Sequence, residues 1–158
     1  MSDLNSFGDP NATVLYVSSG ERGSLEREGI VATEGIYTCL GVSIYDPKIP
    51  KAFIAHEYPG QSFSSLMLEI DDNFDDLSRV RVWLGGAGFY GDAERSQIMG
   101  RDKIVKELIQ RGCGEAAIKT LWLDDSDSDI TYAIDVASGE ELIKVENPFD
   151  EVYDEDEY

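Results

Sequence analysis

The residues with most chemical content in this sequence are its single histidine, His56, and the first of its two cysteines, Cys39. A thiol beside an imidazole can lose its proton to the ring and attack an electrophilic carbon as thiolate. The same pair can take up a leaving group and then activate water. Taken singly, each residue has a plainer reading, because a lone cysteine or histidine near a strand is most often a small or satisfied core group. What raises the pair above that reading is the element that carries it.

Ile36 to Tyr45 alternates Leu40, Val42 and Ile44 with Cys39, Gly41 and Ser43, the two-residue period of a strand. Asp46-Pro47-Lys48-Ile49 follows, with Asp and Pro in the first two positions of a type I turn. Ala52 to His56 is the returning strand. A four-residue turn at Asp46 to Ile49 pairs Tyr45 with Pro50, and every further pair of numbers sums to 95. Cys39 then faces His56 directly, with Cβ atoms about 4.5–5.5 Å apart on one face of the hairpin. This register depends on the turn, since a slip along the strand changes each partner.

The remaining pattern supplies a scaffold. Thr13 to Ser18 reads as a strand, Ser19 to Gly29 as a charged loop, and Ile30 to Thr33 as a short strand. Phe63, Leu66, Met67, Ile70, Phe74 and Leu77 recur at three and four residues, one apolar face of a helix. Val80 to Leu84 is a strand that runs into Gly85-Gly86-Ala87-Gly88. A second helix is expected over Arg101 to Arg111, with Gly112 as its stop. Ala116 to Leu123 and Ile130 to Val136 read as strands joined by an acidic turn. Ala137-Ser138-Gly139-Glu140 is a hairpin turn before a last strand, Glu141 to Val145. The fold class expected is α+β, mixed or antiparallel sheets in a sandwich-like arrangement with helices packed outside. Residues 1–12 read as a loose leader, 13–146 as one catalytic domain, and 147–158 as an acidic disordered tail.

Composition narrows the partners. The formal net charge is −19, which opposes approach to phosphate backbones and anionic bilayers. Nucleic-acid binding and membrane insertion are not expected. No basic start precedes an apolar stretch and no apolar run reaches spanning length, so the expected compartment is the cytoplasm. No cofactor or metal is expected, because two cysteines and one histidine lack ligand spacing for zinc. Gly86 to Gly91 matches G-x-G-x-x-G, but the following Asp92 to Gln97 has no apolar stripe to open a nucleotide-binding helix. Asp125, Asp127 and Asp129 imitate the start of a calcium loop, yet Ile130 stands where glycine is needed and no closing Glu follows. Cys113 reads as a bystander, and Gln97 and Gln110 as surface choices.

On these residues the stretch from Val14 to Lys144 resembles the CheD family of chemoreceptor glutamine deamidases, which looks like a cysteine-hydrolase branch shared with deamidating toxins. Thr33, Cys39, Tyr45-Asp46 and His56 stand at the family's spacings, with six residues from Thr to Cys and seventeen from Cys to His. Gly85-Gly86-Ala87, Gly100-Arg101-Asp102 and Ile134 to Gly139 echo further family segments. Ile36-Tyr37-Thr38-Cys39 departs from the usual Leu-Gly-Ser-Cys. Glu57-Tyr58-Pro59 departs from a Met-Leu-Pro-like run, and Asp124 to Asp129 replaces an expected Gly-Gly and Arg.

The resemblance implies a protein-glutamine deamidase in chemotaxis signalling, with Cys39 as nucleophile, His56 as its base and Thr33 as the group that orients His56. It implies oxyanion donors near Thr38 and Cys39, with Gly85 and Gly86 as neighbours. The substrate implied is a chemoreceptor glutamine, with a CheC-type phosphatase as a further partner. Two other readings are an enzyme of the same chemistry acting on another protein target, and a non-catalytic binding module.

Overall fold

The computed structural model describes residues 2–89, 93–124 and 128–147. Residues 125–127 of the acidic turn, residues 90–92 of the glycine-rich stretch and the tail from 148 lie outside them. The described chain forms α1 (Ser2–Asn5), β1 (Val14–Tyr16), β2 (Arg22–Glu26), β3 (Ile30–Ile36), β4 (Leu40–Asp46) and β5 (Lys51–Glu57). Then come α2 (Phe63–Asn73), β6 (Arg81–Gly86), α3 (Glu94–Gln110), β7 (Ile118–Trp122), β8 (Asp129–Asp135) and β9 (Glu141–Glu146). Two sheets result, in the orders β1-β3-β8-β9 and β2-β5-β4-β6-β7. Most neighbours are antiparallel, but β1 runs parallel to β3 and β6 parallel to β7. The fold is α+β.

The sheets face one another across Val31, Ile36, Tyr45, Ile54, Trp83, Ile130 and Tyr132. On the far side of the five-stranded sheet, α2 and α3 cover Val42, Ile44, Phe53, Val82 and Leu84 with Leu66, Met67, Ile70, Ile104 and Leu108. β4 and β5 are therefore buried on both faces, which is why their sequences run apolar or small at nearly every position. Ser62 caps α2, its hydroxyl accepting from the Ser65 amide at 3.2 Å. Among the described residues no helix is long and apolar enough to cross a membrane.

Several expectations are corrected. The leader expected to be loose is docked: Leu4 is buried with Ile30, Ala32 and Ala133, and Phe7 and Ala12 pack beside it. The loop expected over Ser19 to Gly29 contains β2, which pairs with β5 from Arg22↔Ala55 to Glu26↔Lys51. The long strand expected over Ile36 to Tyr45 is two strands with a break at residues 37–39. α3 begins at Glu94, well before Arg101, and has no side-chain cap to announce it. The two strands expected on either side of the acidic turn are present as β7 and β8, and they belong to different sheets.

The correction with most consequence is the hairpin register. The last pair before the turn is Asp46↔Lys51, so the loop is Pro47 to Pro50, and Tyr45 faces Ala52. The Asp46 carboxylate accepts from the Lys48 amide at 2.9 Å and from the Arg79 guanidinium, which holds Asp46 in the strand. His56 therefore pairs with Gly41 and Glu57 with Leu40, two residues beyond the expected partners. A two-residue shift keeps each side chain on its expected face.

Candidate functional site

His56 lies at the end of β5 and its side chain is fully buried between the sheets. Its backbone is pinned by the segment that leads into β2: the Gly20 amide donates to its carbonyl at 2.7 Å, and its own amide donates to the Glu21 carbonyl at 3.0 Å. From the opposite sheet, Thr33 on β3 reaches it. The Thr33 hydroxyl donates to the Val17 carbonyl at 2.7 Å and lies 2.7 Å from His56 Nδ1. A hydroxyl has one proton. With that proton on Val17, Thr33 accepts, so His56 carries its proton on Nδ1 and presents a lone pair on Nε2. Ser19, an exposed residue, stands at that end with its Oγ 3.4 Å from Nε2. Burial pushes the His56 pKa below its ordinary 6.5, keeping the ring neutral.

Cys39 occupies the break between β3 and β4, is 9% exposed, and makes no hydrogen bond through its thiol among the described residues. Burial, and then the Glu57 carboxylate, push its pKa above the ordinary 9.0. The resting pair is thus a neutral thiol and a neutral imidazole, not an ion pair. The expected direct cross-strand contact is not formed: Gly41 takes the position opposite His56, and Cys39 lies just outside the β4–β5 ladder, which begins at Leu40.

The break itself is latched to the end of β6. The Ala87 amide donates to the Cys39 carbonyl at 2.8 Å, and the Gly88 amide to the Tyr37 carbonyl at 2.7 Å. Gly86 has φ of +78°, and a Cβ there would lie 2.5 Å from the Cys39 carbonyl oxygen. Gly85 faces Gly41 in the ladder. Gln97 Nε2 donates to the carbonyls of Thr38 and Gly88, each at 2.8 Å, so Gln97 is a clamp on this loop rather than a surface choice. Among the described residues the amides of Thr38 and Cys39 donate no hydrogen bond.

Beside Leu40 and Ala87 opens a cleft of about 240 Å³, walled by the Glu57 side chain, Phe63 and Leu66 of α2, and Gln97, Arg101 and Lys103 of α3. Sequence reasoning missed three residues around it. Arg22 and Glu57 form a bidentate pair, Nε to Oε2 at 2.9 Å and Nη2 to Oε1 at 2.6 Å. Arg101 is buried and donates to Ala87, Leu123 and Asp124, tying α3 to the ends of β6 and β7. No local pattern marks such long-range partners. The one available signal is a charged residue standing among positions that must be buried.

No known family model matches the chain, and no curated protein matches it. Among solved structures it is distantly similar to the Bacillus licheniformis hypothetical protein YfiH, at 16% identity and a TM-score of 0.41. That match covers 58% of this chain and 46% of the other, so the chain spans less than half the length of the protein it resembles.

Proposed function

We propose that the chain is a cysteine-dependent protein-glutamine deamidase, with Cys39 as nucleophile, His56 as proton carrier and Thr33 as its positioning residue. The observation that carries this reading is the buried Thr33 hydroxyl. Its bonds to Val17 and to His56 Nδ1 leave Nε2 as the free base, the third-group role that a nucleophile-base pair needs. The reading requires the sulfur and Nε2 to come within hydrogen-bond reach once substrate is bound, as catalytic contacts commonly tighten on binding.

The thiol proton passes to Nε2 as sulfur attacks the side-chain carboxamide carbon. The C–N bond breaks, and His56 returns the proton to the departing ammonia. Water then loses a proton to His56 and cleaves the thioester, leaving glutamate and the free thiol. The unengaged Thr38 and Cys39 amides are the donors for the oxyanion. The resemblance makes a chemoreceptor the first substrate to test, in chemotaxis signalling, with a CheC-type phosphatase as a partner; an unrelated protein target is the alternative.

Ser19 supports a second reading, because its hydroxyl is the group at Nε2. A serine nucleophile would use the same base and the same positioning residue.

The test is ammonia release, with a mass gain of about one dalton per glutamine converted by this acyl transfer, from a chemoreceptor cytoplasmic fragment and from unrelated proteins. Cys39→Ala and His56→Ala should abolish release with the circular dichroism spectrum unchanged, whereas Ser19→Ala should retain it. Full activity in Cys39→Ala overturns the thiol mechanism, and loss in Ser19→Ala alone favours the serine.

A further inference from the structure

Glu57 is a carboxylate placed where an ordinary core would have an apolar side chain. It is 4% exposed, yet it lines the cleft beside Leu40. It pairs with Leu40 across the hairpin, one residue from Cys39. Ala87, whose amide holds the Cys39 carbonyl, lines the same cleft.

Its partner is saturated. Arg22 gives Nε and one Nη2 hydrogen to Glu57, Nη1 to Ser65 Oγ at 2.8 Å, and a longer Nη2 contact to the Ser62 carbonyl at 3.4 Å, with Glu69 at 3.6 Å from Nη1. Arg22 therefore holds Glu57 fixed but has little left to offer an incoming anion. A carboxylate accepts about four hydrogen bonds. Arg22 fills one site on each oxygen, and no other donor reaches Glu57 among the described residues. What remains is a rigid acceptor facing a cleft that joins the apolar Leu40, Phe63 and Leu66 to the cations Arg101 and Lys103.

We propose that Glu57 is a specificity-determining residue that selects an uncharged primary carboxamide for Cys39, accepting its N–H, and excludes the corresponding carboxylate. This rests on the deamidase reading above and deepens it. Deamidation exchanges an N–H donor for an anionic acceptor, so one fixed carboxylate favours the substrate and expels the product. A site that satisfies a polar group on one ligand discriminates strongly against the analogue that lacks it.

The proposal is tested without turnover. Iodoacetamide and iodoacetate differ in the same way as substrate and product: each alkylates a thiol, the S–C bond forming as iodide leaves and the thiol proton passes to buffer. Their rates are measured by mass spectrometry on the Cys39 peptide of the full chain, in about 1 M salt to screen the surface charge, with N-acetylcysteine as reference. Cys39 should prefer iodoacetamide over iodoacetate by about tenfold more than N-acetylcysteine does, the rejection expected of a fixed like charge and a mismatched acceptor. Glu57→Gln should reduce that preference by speeding iodoacetate, and Glu57→Met should reduce it while also slowing iodoacetamide.

A wild-type preference equal to that of N-acetylcysteine overturns the proposal and needs no variant to fold. So does a Cys39 that neither reagent modifies, or a preference unchanged in a folded Glu57 variant. Failure of the deamidase reading shows separately, as absent ammonia release beside an intact alkylation preference.

Discussion

At the scale of single residues the site turns on one proton. Thr33 fixes it on Nδ1 of His56, and Thr33→Ala leaves the Val17 carbonyl and the ring N–H without their partner. A buried unsatisfied group costs about 1–3 kcal/mol, and misorientation of the base should lower ammonia release about 10- to 100-fold, within the usual worth of acid–base catalysis. Thr33→Ser should restore both, which a merely space-filling methyl would not require; equal rates in Thr33→Ala and Thr33→Ser would remove the positioning role. The pH profile follows from the same environment. His56 must be unprotonated to accept the thiol proton, and burial lowers its pKa below 6.5, so the acid limb should fall below that value. Loss of the thiol proton before attack leaves no imidazolium for ammonia, and burial raises the Cys39 pKa above 9.0, so the alkaline limb should fall above that value. An acid limb above 6.5 in a pH-rate series would exclude His56 as the base. Cys39 and His56 could be singled out from residue type and spacing because the chain has two cysteines and one histidine, whereas Thr33 came only with the family resemblance. Arg22, Glu57 and Ser19 could not, because each acquires its meaning from a partner far away in sequence.

At the scale of elements, the hairpin and the β6 terminus decide where Cys39 sits. The alternation of Leu40, Val42 and Ile44 was enough to identify β4 and its faces, but not its register, because Asp46 belongs to the last strand pair and not to the turn. β2 was illegible for a different reason: Arg22-Gly23-Ser24-Leu25-Glu26 has no β-branched residue and no clean alternation, and only pairing with β5 makes it a strand. The break at residues 37–39 depends on Gly86, whose φ of +78° and contact with the Cys39 carbonyl leave no room for a side chain. Gly86→Ala should destabilise the chain by about 2–4 kcal/mol, combining left-handed strain with overpacking, and should alter the rate at which Cys39 is alkylated. Gly100 is the contrast: it is inside α3 with nothing within 4 Å of a built Cβ. Gly100→Ala should stabilise by about 0.5–1 kcal/mol. Urea midpoints of the two variants moving in the same direction would show that the Gly86 contact does not constrain the loop.

At the scale of the whole molecule, the α+β sandwich follows from period: two-residue alternation for the sheets, three-and-four spacing for the helices that cover them. The order of the strands does not follow, because the parallel pairs β1·β3 and β6·β7 join segments that no turn connects. Charge acts at this scale too. Thirty-two acidic residues face thirteen basic ones, for a net −19, so even complete pairing of every cation leaves an excess of carboxylates. Several of the cations, Arg22, Arg79 and Arg101 among them, already have partners. The surplus repels itself, and folding concentrates it, so repulsion is larger in the native state than in the expanded chain. The screening length falls from about 30 Å at 0.01 M salt to about 3 Å at 1 M, which takes the interaction from the span of the domain to nearest neighbours. The exposed pairs that salt weakens are each worth under about 1 kcal/mol and should lose to the relief of repulsion. The melting temperature should therefore rise by about 5 °C between 0.01 and 0.5 M sodium chloride, the shift expected if 1–2 kcal/mol of repulsion is removed from a domain of this size. A melting temperature that falls with salt would mean that local ion pairs outweigh the net charge.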